Sequence, residues 1–202
     1  MVRREASVDL ARNDPLGCSL FLSADACELS LDPNTANRNL SLSEGNPMVT
    51  HVKEEHPYPD HPERFDKFPQ VLCREGLSGR CYWETEFSNL WARIGVAYKS
   101  IERKGNNIDT QLGRSNKSWA LYCSDNSYFA WQNNERTDIP VPPSRSRRVG
   151  VYLDWPGGTV SFYSISSDTL THLHTFHSTF TEPLYAGFYV WPDSPVSLFQ
   201  IT

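Results

Sequence analysis

The chain has 202 residues, of which 39% are hydrophobic and 12% aromatic, and its formal net charge is −5. Six Trp, nine Tyr and ten Phe supply enough apolar area for a sizeable core, which excludes a chain disordered throughout. The acidic balance argues against bulk nucleic-acid binding, which needs a basic footprint, and no apolar run approaches the roughly 18 residues of a transmembrane segment.

In chain order, the charged stretch Met1 to Arg12 lacks the apolar core of a signal peptide, and Leu16 to Leu22 is too short and too late for one. Residues 1–26 therefore read as a linker or flanking segment. From Glu28 onward short β-type runs alternate with turn residues. Glu28 to Leu31 and Asn39 to Leu42 alternate, broken by Asp32-Pro33-Asn34 and by Glu44-Gly45-Asn46-Pro47. Further strands are expected at Met48 to Val52, Gly79 to Phe87, Ala92 to Tyr98, Ser118 to Tyr122 and Tyr128 to Gln132. The C-terminal half adds Arg148 to Leu153, Thr159 to Ser164, Leu170 to Phe176, Leu184 to Val190 and Val196 to Ile201. Many short strands separated by turn signals describe a β-sandwich.

The clearest unit is a hairpin. Val149, Val151 and Leu153 share one face of the first strand; Val160, Phe162 and Ser164 share one face of the second. Pro156-Gly157-Gly158 turns between them, the Gly pair supplying positive φ. A turn of helix is expected only near Pro62 to Phe65. Two proline-stiffened surface loops, His51 to Pro69 and Thr137 to Arg148, lie on this framework, where binding usually resides.

Cys18, Cys27, Cys73, Cys81 and Cys123 form an odd, scattered set with no CxxC pair. That pattern is not the framework of a small secreted scaffold, and it points to reduced thiols in a cytoplasmic setting. His51, His56 and His61, with Glu54, Glu55 and Asp60, have spacings that fit no common zinc pattern and read as a solvated loop. His172 and His174 share one strand face, with His177 beyond; an exposed face is the expectation, with pH sensitivity its one consequence. There is no GxSxG elbow, no GxGxxG and no P-loop. Glu84 and Glu86, two apart, read as structural. Lys99, Arg103 and Lys104 in one loop, and Arg145, Arg147 and Arg148 in another, read as solvated surface. The weak kinase-like run Arg3, Arg4 and Ser7 falls in the linker.

Several blocks carry a family resemblance. Leu29-Ser30-Leu31-Asp32-Pro33-Asn34-Thr35-Ala36 resembles the opening of a PRY segment. Gly79-Arg80-Cys81-Tyr82-Trp83-Glu84-Thr85-Glu86 resembles the WEVE block of PRY-SPRY domains, with Thr85 in place of the usual Val. Val149 to Trp155 resembles their LDYE block, although Trp155-Pro156 departs from Tyr-Glu. Phe162-Tyr163 and Pro183 to Phe188 follow in order. The flavour is similar to that of fish tripartite-motif proteins, NLR-type immune sensors and stonefish-type cytolytic toxins.

The resemblance implies an all-β fold, a bent antiparallel β-sandwich of the concanavalin-like jelly-roll kind. Its domain is expected over residues 27–202, with PRY at about 27–78 and SPRY at about 79–202. It implies a non-catalytic module without cofactor or metal, which recognises a protein ligand through loops at one end. Such a module would serve as the C-terminal recognition domain of an innate-immune or ubiquitin-ligase protein; the alternative is a glycan- or membrane-surface-targeting module of a pore-forming toxin-like protein. By the same resemblance, the loops after Tyr122 and after Tyr189 contribute to the binding face. The expected contacts are Tyr122, Ser124, Asp125, Asn126, Tyr128, Trp131, Tyr189 and Trp191, since Trp and Tyr offer large rigid area plus one polar atom. Trp131 could equally be core. Trp83, Phe87, Trp119 and Phe162 are expected in the core, and Trp91 packed. Butyrophilin-type relatives hold small phosphorylated ligands in a basic pocket, so a small anionic ligand at the basic loops is a rival site.

Overall fold

The alternation of Val149, Val151 and Leu153 against Val160, Phe162 and Ser164 does form an antiparallel hairpin. Leu153 faces Val160, Val151 faces Phe162 and Val149 faces Ser164, and all six are buried. Of the turn glycines only Gly158 takes a positive φ, +70°. The computed structural model describes residues 24–45, 47–88, 91–144, 146–167, 169–199 and 201. The expected linker, except its last residues, lies outside them, together with the Arg3, Arg4 and Ser7 run, Cys18, Asn46 and Arg145.

Thirteen strands are described: β1 Leu40–Leu42, β2 Met48–His51, β3 Gln70–Leu72, β4 Arg80–Phe87, β5 Trp91–Tyr98, β6 Ser118–Ser124, β7 Tyr128–Gln132, β8 Glu135–Ile139, β9 Arg148–Asp154, β10 Thr159–Ser166, β11 Thr169–His177, β12 Leu184–Tyr189 and β13 Val196–Phe199. One sheet runs β1-β2-β13-β4-β9-β10-β11 and the other β3-β12-β5-β6-β7-β8. Every strand pairing is antiparallel. The two sheets stack as a sandwich over one shared core, as the expected fold class requires.

Period-two alternation decides which side chains enter that core. Trp83, Phe87, Val151 and Phe162 come from the seven-stranded sheet, and Ile94, Trp119, Leu121 and Phe188 from the six-stranded sheet. The expected core aromatics Trp83, Phe87, Trp119 and Phe162 are all there. Trp119 is clamped edge-on by Tyr98 and Phe180, with centroids 5.3 and 5.2 Å away.

Four expectations are corrected. Glu28 to Leu31 is not a strand; Leu31 makes a single bridge to Cys73, because Pro33 ends the run at once. Pro62 to Phe65 is a non-helical turn, and its Arg64 is spent on the carbonyls of Pro33, Ala36 and Pro59. β3 and β8 were not foreseen. β8 is Glu-Arg-Thr-Asp-Ile, with no apolar alternation to reveal it, and it closes one edge of the sheet with charge, which discourages pairing with another chain.

The fourth correction concerns the thiols. Cys27 and Cys81, 54 positions apart, are disulfide-bonded with Cα atoms 5.6 Å apart, where reduced thiols were expected. The bond ties the segment ahead of β1 to the start of β4. Cys73 and Cys123 are free and buried, and burial pushes both thiols up. A loop of this length is worth ~4 kcal/mol in the chain-entropy view. Calorimetry with and without reductant is expected to show a lower midpoint in reductant for the wild type. The Cys27→Ala/Cys81→Ala variant should show no such difference; equal midpoints for the wild type would count against the bond.

Candidate binding face

The outer face of the six-stranded sheet carries the complementary set of side chains. Cross-strand register aligns Tyr189 on β12 with Arg93 on β5, Arg93 with Tyr122 on β6, Tyr122 with Phe129 on β7, and Phe129 with Asp138 on β8. Two residues along the strands, on the same face, lies a second row, Gly187-Gly95-Ala120-Trp131-Arg136. Its three small residues leave a shallow floor.

Residues 99–117 fold back over that floor. Ile101 and Leu112 pack with Phe65, Leu72, Ala97 and Ala120 in a second apolar cluster. Polar pins hold the fold-back: Gln70 Nε2 donates to the Thr110 carbonyl at 2.6 Å and Gln70 Oε1 accepts from Leu112 N at 2.6 Å. Gly113 N donates to Ser118 Oγ at 2.7 Å. Gly113 has φ +82°, and a Cβ there would come 2.7 Å from Ala120 Cβ, so glycine is needed on both counts.

Beyond the fold-back the face is aromatic, with Trp91 exposed, Phe129, Tyr189 and Trp191 half-buried, and Tyr122 mostly covered by them. The Tyr122 and Phe129 rings stack at 4.3 Å, tilted by 4°. Trp91 and Trp191 stand edge-on to Tyr122 at 6.0 and 5.6 Å, and Tyr189 meets Trp191 at 4.4 Å. Three guanidiniums lie against these rings. Arg93 sits 4.9 Å from the Tyr189 centroid and 5.4 Å from that of Trp191, Arg114 lies 4.5 Å from Trp131, and Arg136 lies 3.9 Å from Phe129. Stacked guanidinium-on-ring contacts of this kind stiffen a surface before any ligand arrives. Burial raises the Tyr122 and Tyr189 hydroxyls and pulls Arg93 down to about 10, so both phenols stay neutral and Arg93 stays charged at pH 7.

The eight expected contact residues separate into three groups. Tyr122, Tyr189 and Trp191 come together in the aromatic cluster, and Trp131 lies on the same outer face, half-buried under Arg114. Ser124, Asp125 and Asn126 form the tight turn between β6 and β7, where Ser124 Oγ accepts from Ser127 N at 3.1 Å and Asp125 pairs with Arg147 at 3.4 Å. Tyr128 is corrected: it is 4% exposed and belongs to the core. It sits opposite Cys123 on the inner face, so period two sends Phe129 and Trp131 outward in its place. Trp91, expected to be packed, is 43% exposed and stands at the rim. Phe129, Trp91, Arg93, Arg114 and Arg136 were not foreseen at the face. For Arg93 a signal existed, since a lone charge sits inside the apolar strand Trp-Ala-Arg-Ile-Gly-Val-Ala-Tyr.

The other candidates are held elsewhere. Arg103 donates to the carbonyls of Lys99, Ile101 and Glu63, Lys104 to those of His61 and Arg64, and Lys99 pairs with Glu63 at 2.9 Å. Arg148 bridges Glu84 at 2.5 Å, and Tyr82 OH donates to the same carboxylate. Glu84 thus has structural partners, and Glu86 is exposed. His172, His174 and His177 lie on the edge strand β11, where burial lowers His172 and His174. Among the described residues, no group of three or more His, Cys, Asp or Glu could hold a metal ion, and no helix is long and apolar enough to cross a membrane.

Two antiparallel sheets with a loop folded over one outer face define a PRY-SPRY type of sandwich. The chain belongs to that family: the SPRY-associated domain model matches residues 29–77 and the SPRY domain model residues 80–200. It is 45% identical to stonustoxin subunit beta of Synanceia horrida over 81% of its length and 23% of the relative's. It is 38% identical to tripartite motif-containing protein 16 of Mus musculus over 82% of its length and 30% of the relative's. Among solved structures it resembles the TRIM65 PSpry domain, with a TM-score of 0.82, 30% identity and coverage of 91% and 95% of the two chains. The stonustoxin structure matches with a TM-score of 0.78 and 43% identity over 86% of this chain and 27% of the other. The chain therefore spans less than a third of the length of these two curated relatives.

Proposed function

We propose that the chain is a non-catalytic recognition module that binds a protein partner through the outer face of the six-stranded sheet. The observation that carries this reading is the contiguous cluster of Trp91, Tyr122, Phe129, Tyr189 and Trp191, stacked on one another with Trp91 open to solvent. Exposed aromatics held rigid by neighbours are the residue types that dominate interface energy. Asp125, Asn126 and Ser124, on the turn beside the cluster, supply the polar rim. Tyr128 has no part in it. The relatives' greater length supports placing the module as the recognition domain of a larger chain, of tripartite-motif or immune-sensor type, over residues 27–202.

Parallel affinity capture with the wild type and with Trp91→Ala/Trp191→Ala tests the face, followed by titration of the captured protein. The double variant is expected to lose ~30-fold or more in affinity, as truncated hot-spot residues do, while its circular dichroism is unchanged. Equal affinity for the two proteins removes this face from the reading. The identity to stonustoxin subunit beta favours a second reading, a surface-targeting module of a toxin-like protein in which Trp91 stacks on a sugar. Binding on a glycan array or to liposomes, lost in Trp91→Ala, would select it over the first.

A further inference from the structure

Arg93 is 8% exposed, in the middle of β5, and no carboxylate among the described residues pairs with it. Its Nη1 donates to the Leu112 carbonyl at 3.2 Å. Its Nε is buried and has no acceptor, and Nη2 makes no hydrogen bond to any described residue. The cationic side chain that acts on it is Arg114, a like charge that lowers it further, and the Nε of Arg114 is also buried and unsatisfied. Arg136, the third guanidinium on this face, is by contrast neutralised by Asp138 at 2.6 Å.

A buried charge without a counter-ion is costly, and natural cores seldom keep one. The cost is sharper in a chain of net charge −5, whose one carboxylate in this row, Asp138, is paired with Arg136 instead. Leu112 occupies one edge of the guanidinium and leaves Nε and Nη2, the parallel pair that matches a carboxylate's two oxygens. Tyr189 and Trp191, with ring centres 4.9 and 5.4 Å from the guanidinium carbon, and Tyr122 opposite it on β6 form an aromatic collar of low polarity, which raises the worth of an ion pair formed there.

We infer that Arg93 is the specificity-determining residue of the face and that the protein partner presents an Asp or Glu side chain, which seats in the Tyr122-Tyr189-Trp191 collar and pairs with the Arg93 guanidinium. The inference rests on the proposed binding face and deepens it by naming the partner's chemistry. It assigns the aromatic cluster the task of contact area and Arg93 the task of selection. Arg114 adds a second positive charge on the same face and disfavours a basic partner.

The test uses a phage-displayed library of random cyclic peptides selected on the whole chain, with binders counted when Trp91→Ala/Trp191→Ala abolishes their capture. A fixed Asp or Glu is expected in these peptides. Changing it to Asn or Gln is expected to weaken binding at least ~30-fold, as loss of one partner of a desolvated pair does. Arg93→Met should weaken the acidic peptide equally, and on that variant the peptide's Glu→Gln change should have no further effect. Arg93→Lys, a cation without the planar fork, should recover only part of the loss. Arg93→Met is also expected to melt no lower than the wild type, because it removes an unpaired buried charge and keeps the volume. That separates lost binding from lost fold.

The outcomes are distinguishable. Neutral peptides that still need Trp91 and Trp191 overturn the inference and leave the face in place. Peptides indifferent to both tryptophans, or no peptides at all, overturn the inference and count against the face as well. Inorganic phosphate that stabilises the wild type but not Arg93→Met, with no acidic peptide selected, assigns the site to a free anion and overturns the side-chain source.

Discussion

Gly95→Ala is expected to destabilise the protein by ~3 kcal/mol or more, an unusually large effect for one added methyl group. A Cβ at this position would lie 2.1 Å from the Trp119 carbonyl oxygen and 2.8 Å from both Ala120 Cα and Ala120 Cβ. The first two are backbone atoms of the neighbouring strand. They cannot yield by rotating a side chain, so the β5–β6 ladder itself must part. Inserted bulk ordinarily costs ~1–3 kcal/mol when side chains can adjust; here they cannot, which places the expectation at or above the upper end. Gly79→Ala is the control, because a Cβ there meets nothing within 4 Å and a change of roughly 0.5 kcal/mol or less is expected. Urea unfolding of the two variants makes the comparison. A Gly95→Ala midpoint close to that of Gly79→Ala would mean the sheet tolerates the added atom. Function enters because Gly95 lies two residues from Arg93 and in the row beneath the fold-back that carries Leu112. A variant that survives with a displaced ladder should bind more weakly although it retains every aromatic of the face.

The framework was legible in the sequence because period-two alternation in a two-sided sandwich states directly which residues enter the core. Val149, Val151, Leu153 and Phe162 show it most clearly. The same rule separates Tyr128, facing inward, from Phe129, facing outward, whereas closeness to a turn points to exposure for both and so misplaces Tyr128. β8 was invisible because an edge strand facing solvent has no apolar alternation to display. The fold-back of residues 99–117 has no local signature either. It depends on Gln70, some forty positions away, which donates to the Thr110 carbonyl and accepts from Leu112 N. The link between Cys27 and Cys81 is likewise a product of topology, which brings the segment before β1 beside β4. The composition of the face was thus partly readable. Its geometry needed the register that lines Tyr189, Arg93, Tyr122 and Phe129 into one row.

Phe162→Ala and Trp91→Ala are expected to have opposite signatures, and the contrast separates framework from face. Phe162 is fully buried between the sheets, opposite Val151 on β9 and edge-on to Phe176 at 6.0 Å. Its truncation removes a ring from a close-packed interior and leaves a cavity, for which the expected cost is ~3–5 kcal/mol. Against a total stability of roughly 5–15 kcal/mol for a domain, the denaturation midpoint should fall steeply. Binding measured below that midpoint should nevertheless stay near the wild-type value, because Phe162 lies in the core between the sheets and forms no part of the outer face. Trp91 carries an aromatic ring of similar apolar character, but 43% of it remains in water in the folded chain. Folding therefore gains little from it, and Trp91→Ala should cost less than ~1 kcal/mol of stability. In a complex that remaining area is desolvated, and its loss appears in affinity instead, at ~2 kcal/mol if it acts as an anchor. The pair is read by chemical denaturation and by titration with a peptide selected on the wild-type face. A Phe162→Ala protein that remains folded yet binds worse than Trp91→Ala would place the contact surface elsewhere on the sandwich, since no property of the outer face makes a core ring the stronger contact.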